Sequence, residues 1–156
     1  MQTAFINSPL GITKIVGDEN GISEISVTSE GEVSKTIPLE LQEAAKQLSD
    51  YFDGKRKDFN FKLNPKGTDF QQKVWQELLN IPFGKTISYL DLSKKLGDVK
   101  AIRAVASANG KNPLWIVIPC HRVIGTDGSL TGYAGGLWRK KWLLEHENPT
   151  NQQSLF

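Results

Sequence analysis

Ser88-Tyr89-Leu90-Asp91-Leu92-Ser93-Lys94-Lys95-Leu96-Gly97-Asp98-Val99-Lys100-Ala101-Ile102-Arg103-Ala104-Val105-Ala106-Ser107-Ala108-Asn109-Gly110 decides how the second half of this 156-residue chain folds. Ser88 can cap a helix, with Asp91 three places later in a capping-box position. Gly97 stops that helix, Asp98 caps the next, and Gly110 ends it. Two short helices around a tight Gly-Asp turn spell a helix-turn-helix. The helix after the turn surrounds Arg103 with small side chains, Ala101, Ala104, Ala106, Ser107 and Ala108. Such a surface either packs closely on another helix or presses into a narrow nucleic-acid groove with Arg103 as its long probe.

Working outward, Thr68 or Asp69 can cap an upstream helix carrying Phe70, Val74 and Leu78, which stops near Ile81-Pro82-Phe83-Gly84. Asn64-Pro65-Lys66-Gly67 is the best linker in the chain. It divides residues 1–65 from residues 66–156. In the first part, residues 4–6, 12–16 and 22–27 are β-leaning runs. Ser8-Pro9-Leu10-Gly11 and Asp18-Glu19-Asn20-Gly21 are turns between them, which predicts a three-stranded antiparallel meander. Pro38 opens a helix to Phe52 with Leu41, Ala45, Leu48 and Phe52 on one face, and Gly54 ends it. Phe59, Phe61 and Leu63 alternate with polar residues and predict a further edge strand. Nothing in this half looks catalytic, so it reads as structural support.

The length suits one mid-sized domain or two small ones. A net charge of +2 conceals an asymmetry: residues 1–65 sum to −3 and residues 66–156 to +5. A basic half suits a polyanionic partner, although random drift of surface charge would look the same. No apolar run approaches the ~18 residues of a membrane span, and the first residues lack a secretory signature. One cysteine argues against a disulfide-stapled domain and fits a reducing cytoplasm.

That cysteine lies in Ile118-Pro119-Cys120-His121-Arg122-Val123, beside one of the two histidines. A nucleophilic thiol needs a nearby base or positive charge. On an extended strand, however, neighbouring side chains point to opposite faces, so His121 reaches Cys120 only if the chain bends or a water bridges them. A basic imidazole also needs a third group to fix its tautomer, and Glu145 and Glu147 are both candidates. An inert buried thiol beside a solvent-facing histidine remains the competing interpretation. Cys120, His121 and His146 do not match zinc spacing, so no metal is expected.

Residues 112–124, Asn112-Pro113-Leu114-Trp115-Ile116-Val117-Ile118-Pro119-Cys120-His121-Arg122-Val123-Ile124, resemble the active-site signature of the O6-alkylguanine-DNA alkyltransferase family. Phe83-Gly84-Lys85-Thr86-Ile87-Ser88-Tyr89, Arg103-Ala104-Val105, Gly132-Tyr133-Ala134-Gly135-Gly136-Leu137 and Lys141-Trp142-Leu143-Leu144-Glu145-His146-Glu147 follow the family's order and spacing. The likeness is close over residues 68–147 and architectural before that. It implies a two-part α/β protein: a ribonuclease-H-like sheet and helix, then a winged helix-turn-helix-like domain holding the acceptor cysteine.

The implied activity is direct-reversal DNA repair. One alkyl group passes irreversibly from O6-alkylguanine, or O4-alkylthymine, to Cys120, with the base flipped out of the duplex. By the same resemblance His121 acts through a water, Glu147 orients it, Asn112 is a hinge and Tyr89 protonates the leaving guanine. Arg103 fills the gap in the base stack. Ala104, Ser107, Ala108, Ser88, Lys100 and Lys111 meet the DNA in its minor groove, and Trp115, Val123, Tyr133 and Ala134 line the base and alkyl pocket. No cofactor is implied, and a monomer is expected.

Two departures stand out: Trp115 replaces a proline frequent in the family, and Ala134 a serine found in some members. Trp115 is therefore expected to reshape the alkyl pocket, unless it merely packs under the sheet. Two rivals to repair are a DNA-binding module without the chemistry, which the presence of Cys120 opposes, and a cysteine hydrolase or redox enzyme, which the absence of a second cysteine opposes.

Overall fold

The computed structural model describes residues 1–130, 133 and 136–149. These residues form two compact units: Met1–Lys66 with Pro113–Val117, and Gly67–Asn112 with the residues from Ile118 onward.

The first unit is a meander of β1 (Gln2–Ser8), β2 (Gly11–Asp18) and β3 (Gly21–Thr28) in the order β1-β2-β3, both pairs antiparallel. Alternation sets its register. Ala4 pairs with Ile15 and Ile15 with Ile25, so one buried row crosses all three strands. Helix α1 (Leu39–Phe52) covers that face with Leu41, Ala45, Leu48 and Phe52, the stripe expected from the sequence.

The edge strand predicted at Phe59, Phe61 and Leu63 does not form. Only a single bridge joins Ile22 to Leu63. The rings of Phe59 and Phe61 turn toward each other at 6.0 Å, and Phe59 also meets Tyr51 at 5.5 Å. Buried Gln47 takes the backbone N–H of Asn60 at 3.1 Å. Aromatic clustering and a side-chain acceptor thus replace the ladder.

The second unit begins with α2 (Asp69–Leu78), capped by Thr68 and Gln71 in a full capping box. Val74, Trp75 and Leu78 form its buried face, while Phe70, expected there, is 39% exposed. Trp75 takes its place and donates from Nε1 to the Ala108 carbonyl at 2.9 Å. Helix α3 (Tyr89–Lys95) starts at Ser88, whose hydroxyl accepts from Asp91 N. Gly97 ends the helix-turn at φ +92°, a conformation that favours glycine. Asp98 caps a 3-10 turn, Val99–Ala101, that runs into α4 (Ile102–Gly110). Strands β4 (Ile87–Ser88) and β5 (Val123–Ile124) pair in parallel, and α5 (Leu137–Glu147) completes the unit.

The approach to Cys120 is not the extended strand its composition suggested. Val117 N bonds Trp115 O, Cys120 N bonds Ile118 O, and Ile116 has φ 72°, an uncommon backbone for a β-branched residue. Cys120–Arg122 is one turn of 3-10 helix.

Candidate active site

The bend changes the relation of Cys120 to His121. In a 3-10 turn the two side chains no longer alternate across a pleat, although neighbours on a helical turn do not face each other either. Both residues are buried. Pro119 N-caps the turn, and the Asn112 side chain holds the backbone just before it, Nδ2 donating to Ile118 O at 2.7 Å.

His121 Nε2 lies 2.7 Å from Glu147 Oε2. Arg122 clamps the same carboxylate from Nε (2.8 Å) and Nη2 (3.0 Å), and its Nη1 donates to Ile81 O at 2.7 Å. Gly84 N reaches Glu147 Oε1 at 3.4 Å, and Asn148 Nδ2 donates back to Gly84 O at 2.9 Å. Gly84 has φ +80°, and a Cβ there would stand 3.2 Å from the Glu147 carbonyl, so a side chain would strain this junction. Glu147, not Glu145, is the carboxylate on His121.

Burial would raise the Glu147 carboxyl, but His121 and Arg122 outweigh it and hold it well below the usual carboxylate range. An ionised Glu147 can only accept, so His121 carries its proton on Nε2 and leaves Nδ1 as the basic nitrogen. Nδ1 is buried and has no hydrogen-bond partner among the described residues. Burial also lowers the imidazole below its ordinary value, against the pull of Glu147. The ring is therefore neutral near pH 7 and able to take a proton.

Burial pushes the Cys120 thiol up, while Asn112, Lys140 and the Tyr133 hydroxyl work in the other direction. Lys140 is fully buried on α5. Its Nζ lies 6.0 Å from the ring centres of both Tyr89 and Tyr133. Burial lowers its ammonium to about 8, opposed by the charge of Cys120.

Lys140 was not singled out from the sequence. Its signal was present, because Lys140, Leu143, Leu144 and Glu147 fall at i, i+3, i+4 and i+7 and all are buried. A lysine on an apolar stripe is uncommon. Asn109 was also missed. It is buried at the end of α4, with Nδ2 3.4 Å from both the Tyr89 hydroxyl and the Cys120 carbonyl.

The remaining expected residues divide. Arg103, Ala104, Ser107, Lys100 and Lys111 are exposed or half-buried, so α4 and its flanks present one solvent-facing stripe. Ala108 is 3% exposed, so it is not part of that stripe, and its carbonyl accepts from Trp75 of α2. The Ser88 hydroxyl is engaged as the α3 cap. Val123 is fully buried in β5. Trp115 belongs to the first unit, 6% exposed, with its backbone N–H on Ile25 O and its ring 6.4 Å from Phe52. It packs in that unit's core, where its backbone bond to Ile25 carries it. Ala134 lies outside the described residues.

Comparison with known proteins gives these features a family. Residues 69–149 match the 6-O-methylguanine DNA methyltransferase DNA binding domain, and residues 1–65 match the ribonuclease-like domain of the same proteins. A methylated-DNA–protein-cysteine methyltransferase of Methanosarcina barkeri is 45% identical, over 91% of this chain and 94% of that one. The constitutive enzyme of Bacillus subtilis is 46% identical, over 82% and 83%. The crystal structure of the Mycobacterium tuberculosis O6-methylguanine methyltransferase superposes with a TM-score of 0.85 at 40% identity, covering 95% of this chain and 93% of that one. The same organism's protein in complex with DNA gives 0.86 at 39% identity, covering 99% and 95%. This chain belongs to the methylated-DNA–protein-cysteine methyltransferase family, the direct-reversal repair proteins that move an alkyl group from damaged DNA onto a cysteine of their own.

Proposed function

We propose that Cys120 is the acceptor in this chain and that His121, Glu147, Tyr89 and Asn112 serve its reaction. The observation that supports this is the 3-10 turn Cys120–Arg122, in which the residue that follows the thiol is an imidazole whose Nε2 lies 2.7 Å from Glu147 Oε2. The thiol proton passes to His121 Nδ1 through one water. The thiolate attacks the alkyl carbon in line, an S–C bond forms, and the O6–C bond breaks. Tyr89 gives the departing guanine its proton, since an anionic purine leaves poorly, and is reprotonated from the imidazolium through solvent. Asn112 holds the Ile118 carbonyl and so the start of the turn. The thioether product is not readily hydrolysed, so each molecule acts once.

An alkyl group on a stacked guanine is inaccessible to an in-line thiolate, so the base must leave the stack. The solvent-facing stripe of Arg103, Ala104 and Ser107 suits the narrow minor groove, with Arg103 filling the gap and Lys100 and Lys111 meeting phosphates. The DNA complex of the M. tuberculosis relative supports this partner. Residues 66–156 would carry binding and chemistry, and residues 1–65 support them. O4-alkylthymine is a second substrate. The protein acts as a monomer, and its one free thiol suits the reducing cytoplasm.

The test is the mass of the intact protein after incubation with duplex containing O6-methylguanine. One methylene equivalent should be gained stoichiometrically by the parent and not by Cys120→Ala. Binding without mass gain would reduce the protein to a recognition module. Affinity should also fall steeply with salt, and a flat response would contradict phosphate contact by the basic half.

A further inference from the structure

Not all of the basic excess of residues 66–156 lies on the stripe formed by α4 and its flanks. Lys85, Lys94 and Lys95 gather around an open cavity of about 440 Å³, to which α4 contributes no described residue. Residues 80–82 and 85–87 form one side of it, and the exposed face of α3 forms the other. Ile81, Pro82 and Ile87 supply its apolar surface. Asp91 is the one carboxylate on the described lining and lies 4.0 Å from Lys94. Lys85 and Lys95 are exposed and have no ion-pair partner among the described residues.

The wall opposite α3 is fixed in advance. Arg122 Nη1 donates to the Ile81 carbonyl at 2.7 Å, Lys85 N bonds Pro82 O at 3.1 Å, and Ile87 pairs with Val123 between β4 and β5. A wall held in this way has little freedom left to lose when something binds, which favours binding. Stability does not account for the charges. Lysines in the last turn of α3 suit the helix dipole, but Lys85 lies outside any helix and brings a third like charge to the same recess. Three ammonium groups around one apolar recess repel each other, and an anion seated between them relieves that repulsion.

The lining narrows the choice of occupant. No described lining residue is aromatic, so nothing there stacks on a nucleotide base. None is an arginine, the side chain whose planar fork matches phosphate. Separate ammonium groups on flexible stems suit separate carboxylates, and the aliphatic surface between them suits an aliphatic side chain. We propose that this cavity docks an acidic segment of a partner protein, with a leucine-like side chain against Ile81, Pro82 and Ile87 and its flanking carboxylates on Lys85, Lys94 and Lys95. Charge complementarity selects the partner. The dock does not draw on the α4 stripe assigned to DNA.

The experiment selects binders from a random-peptide display library on the immobilised full chain, then measures each enriched peptide by fluorescence anisotropy. The parent should enrich sequences in which Asp or Glu flanks Leu, Ile or Val. Such a peptide should bind the double variant Lys85→Gln, Lys95→Gln at least about tenfold more weakly, and serine in place of its aliphatic residue should weaken binding to the parent by a similar factor. Thermal melting checks that the variant is folded, and its binding to duplex DNA should keep the parent's salt dependence. No enrichment, enrichment of sequences without that pattern, or equal binding by the variant overturns the proposal. Equal binding of the serine-substituted peptide also overturns it, because diffuse attraction of acid to a basic surface would then explain the result. A salt slope for duplex binding that drops by about one per lysine removed would assign these lysines to DNA phosphates and overturn it as well.

Discussion

His121 and Glu147 meet through a 2.7 Å hydrogen bond whose carboxylate is shared with Arg122. One acidic side chain therefore fixes the imidazole tautomer and neutralises a buried guanidinium at the same time. Glu147→Gln keeps the shape but offers an amide that can present N–H to Nε2 and so invert the tautomer. Single-turnover methyl transfer by this variant should slow by about 100-fold, within the range typical of lost general base catalysis. A parent-like rate would remove Glu147 from the proton path.

Arg122 makes three hydrogen bonds from a side chain that is 8% exposed. Removing one partner of such a pair leaves a buried charge uncompensated. Arg122→Met should cost about 3–5 kcal/mol of unfolding free energy in urea titrations. Arg122→Lys should recover only part of that loss, since an ammonium cannot reproduce the fork to Glu147 and the bond to Ile81 together.

Acid should destabilise the protein in two stages. The His121 imidazole is lowered from 6.5 in the folded state, so below that pH the unfolded chain takes up a proton first and gains on the folded one. Glu147 is lowered from 4.5, so its contribution is complete above that value and fades as pH drops further. Urea midpoints should fall steadily from pH 6.5 downward, and Glu147→Gln should flatten the portion below pH 4.5.

Lys140 is charged below about 8 and sits close enough to Cys120 to favour its thiolate. Lys140→Met should slow carboxymethylation of Cys120 by iodoacetate several-fold near neutrality. The difference should shrink above pH 8, where the parent's own lysine is losing its charge. A constant ratio across pH would point to packing instead of charge.

Thr68→Ala provides a contrast, because it removes the side-chain half of the α2 capping box and no group assigned to proton transfer. It should cost about 1 kcal/mol of stability and leave the alkyl-transfer rate unchanged at temperatures where the protein is folded. A matching loss of rate would tie the second unit's first helix to the chemistry.

The elements legible in the sequence are those written in local signals. Turn residues bounded the meander, while Thr68 caps α2, Ser88 caps α3 and Asp98 caps the 3-10 turn before α4. Long-range competition hid the rest. Trp115-Ile116-Val117-Ile118 has strand composition, yet Trp115 N is drawn to Ile25 O and Ile116 adopts a positive φ, so the chain turns before Cys120. Phe59 and Phe61 alternate as a strand would, but their rings prefer each other. Of the site, the thiol, imidazole and carboxylate were readable as residue types. Their joining could not be read, since 26 positions separate His121 from Glu147. Lys140 and Asn109 were overlooked because a polar residue on a buried helix face shows itself only once the face is known.

The bonds from Glu147 to His121, Arg122 and Gly84, with Asn148 closing on Gly84, tie the reactive turn to the far end of α5. That arrangement has a consequence for synthesis. A chain growing on the ribosome exposes Cys120 well before Glu147 has emerged. Through that interval its thiol has neither an oriented base nor a buried counter-charge from Lys140. The one alkyl acceptor each molecule possesses is thus without its proton path, and outside the burial that raises its thiol in the fold, until residues through Asn148 are free to fold.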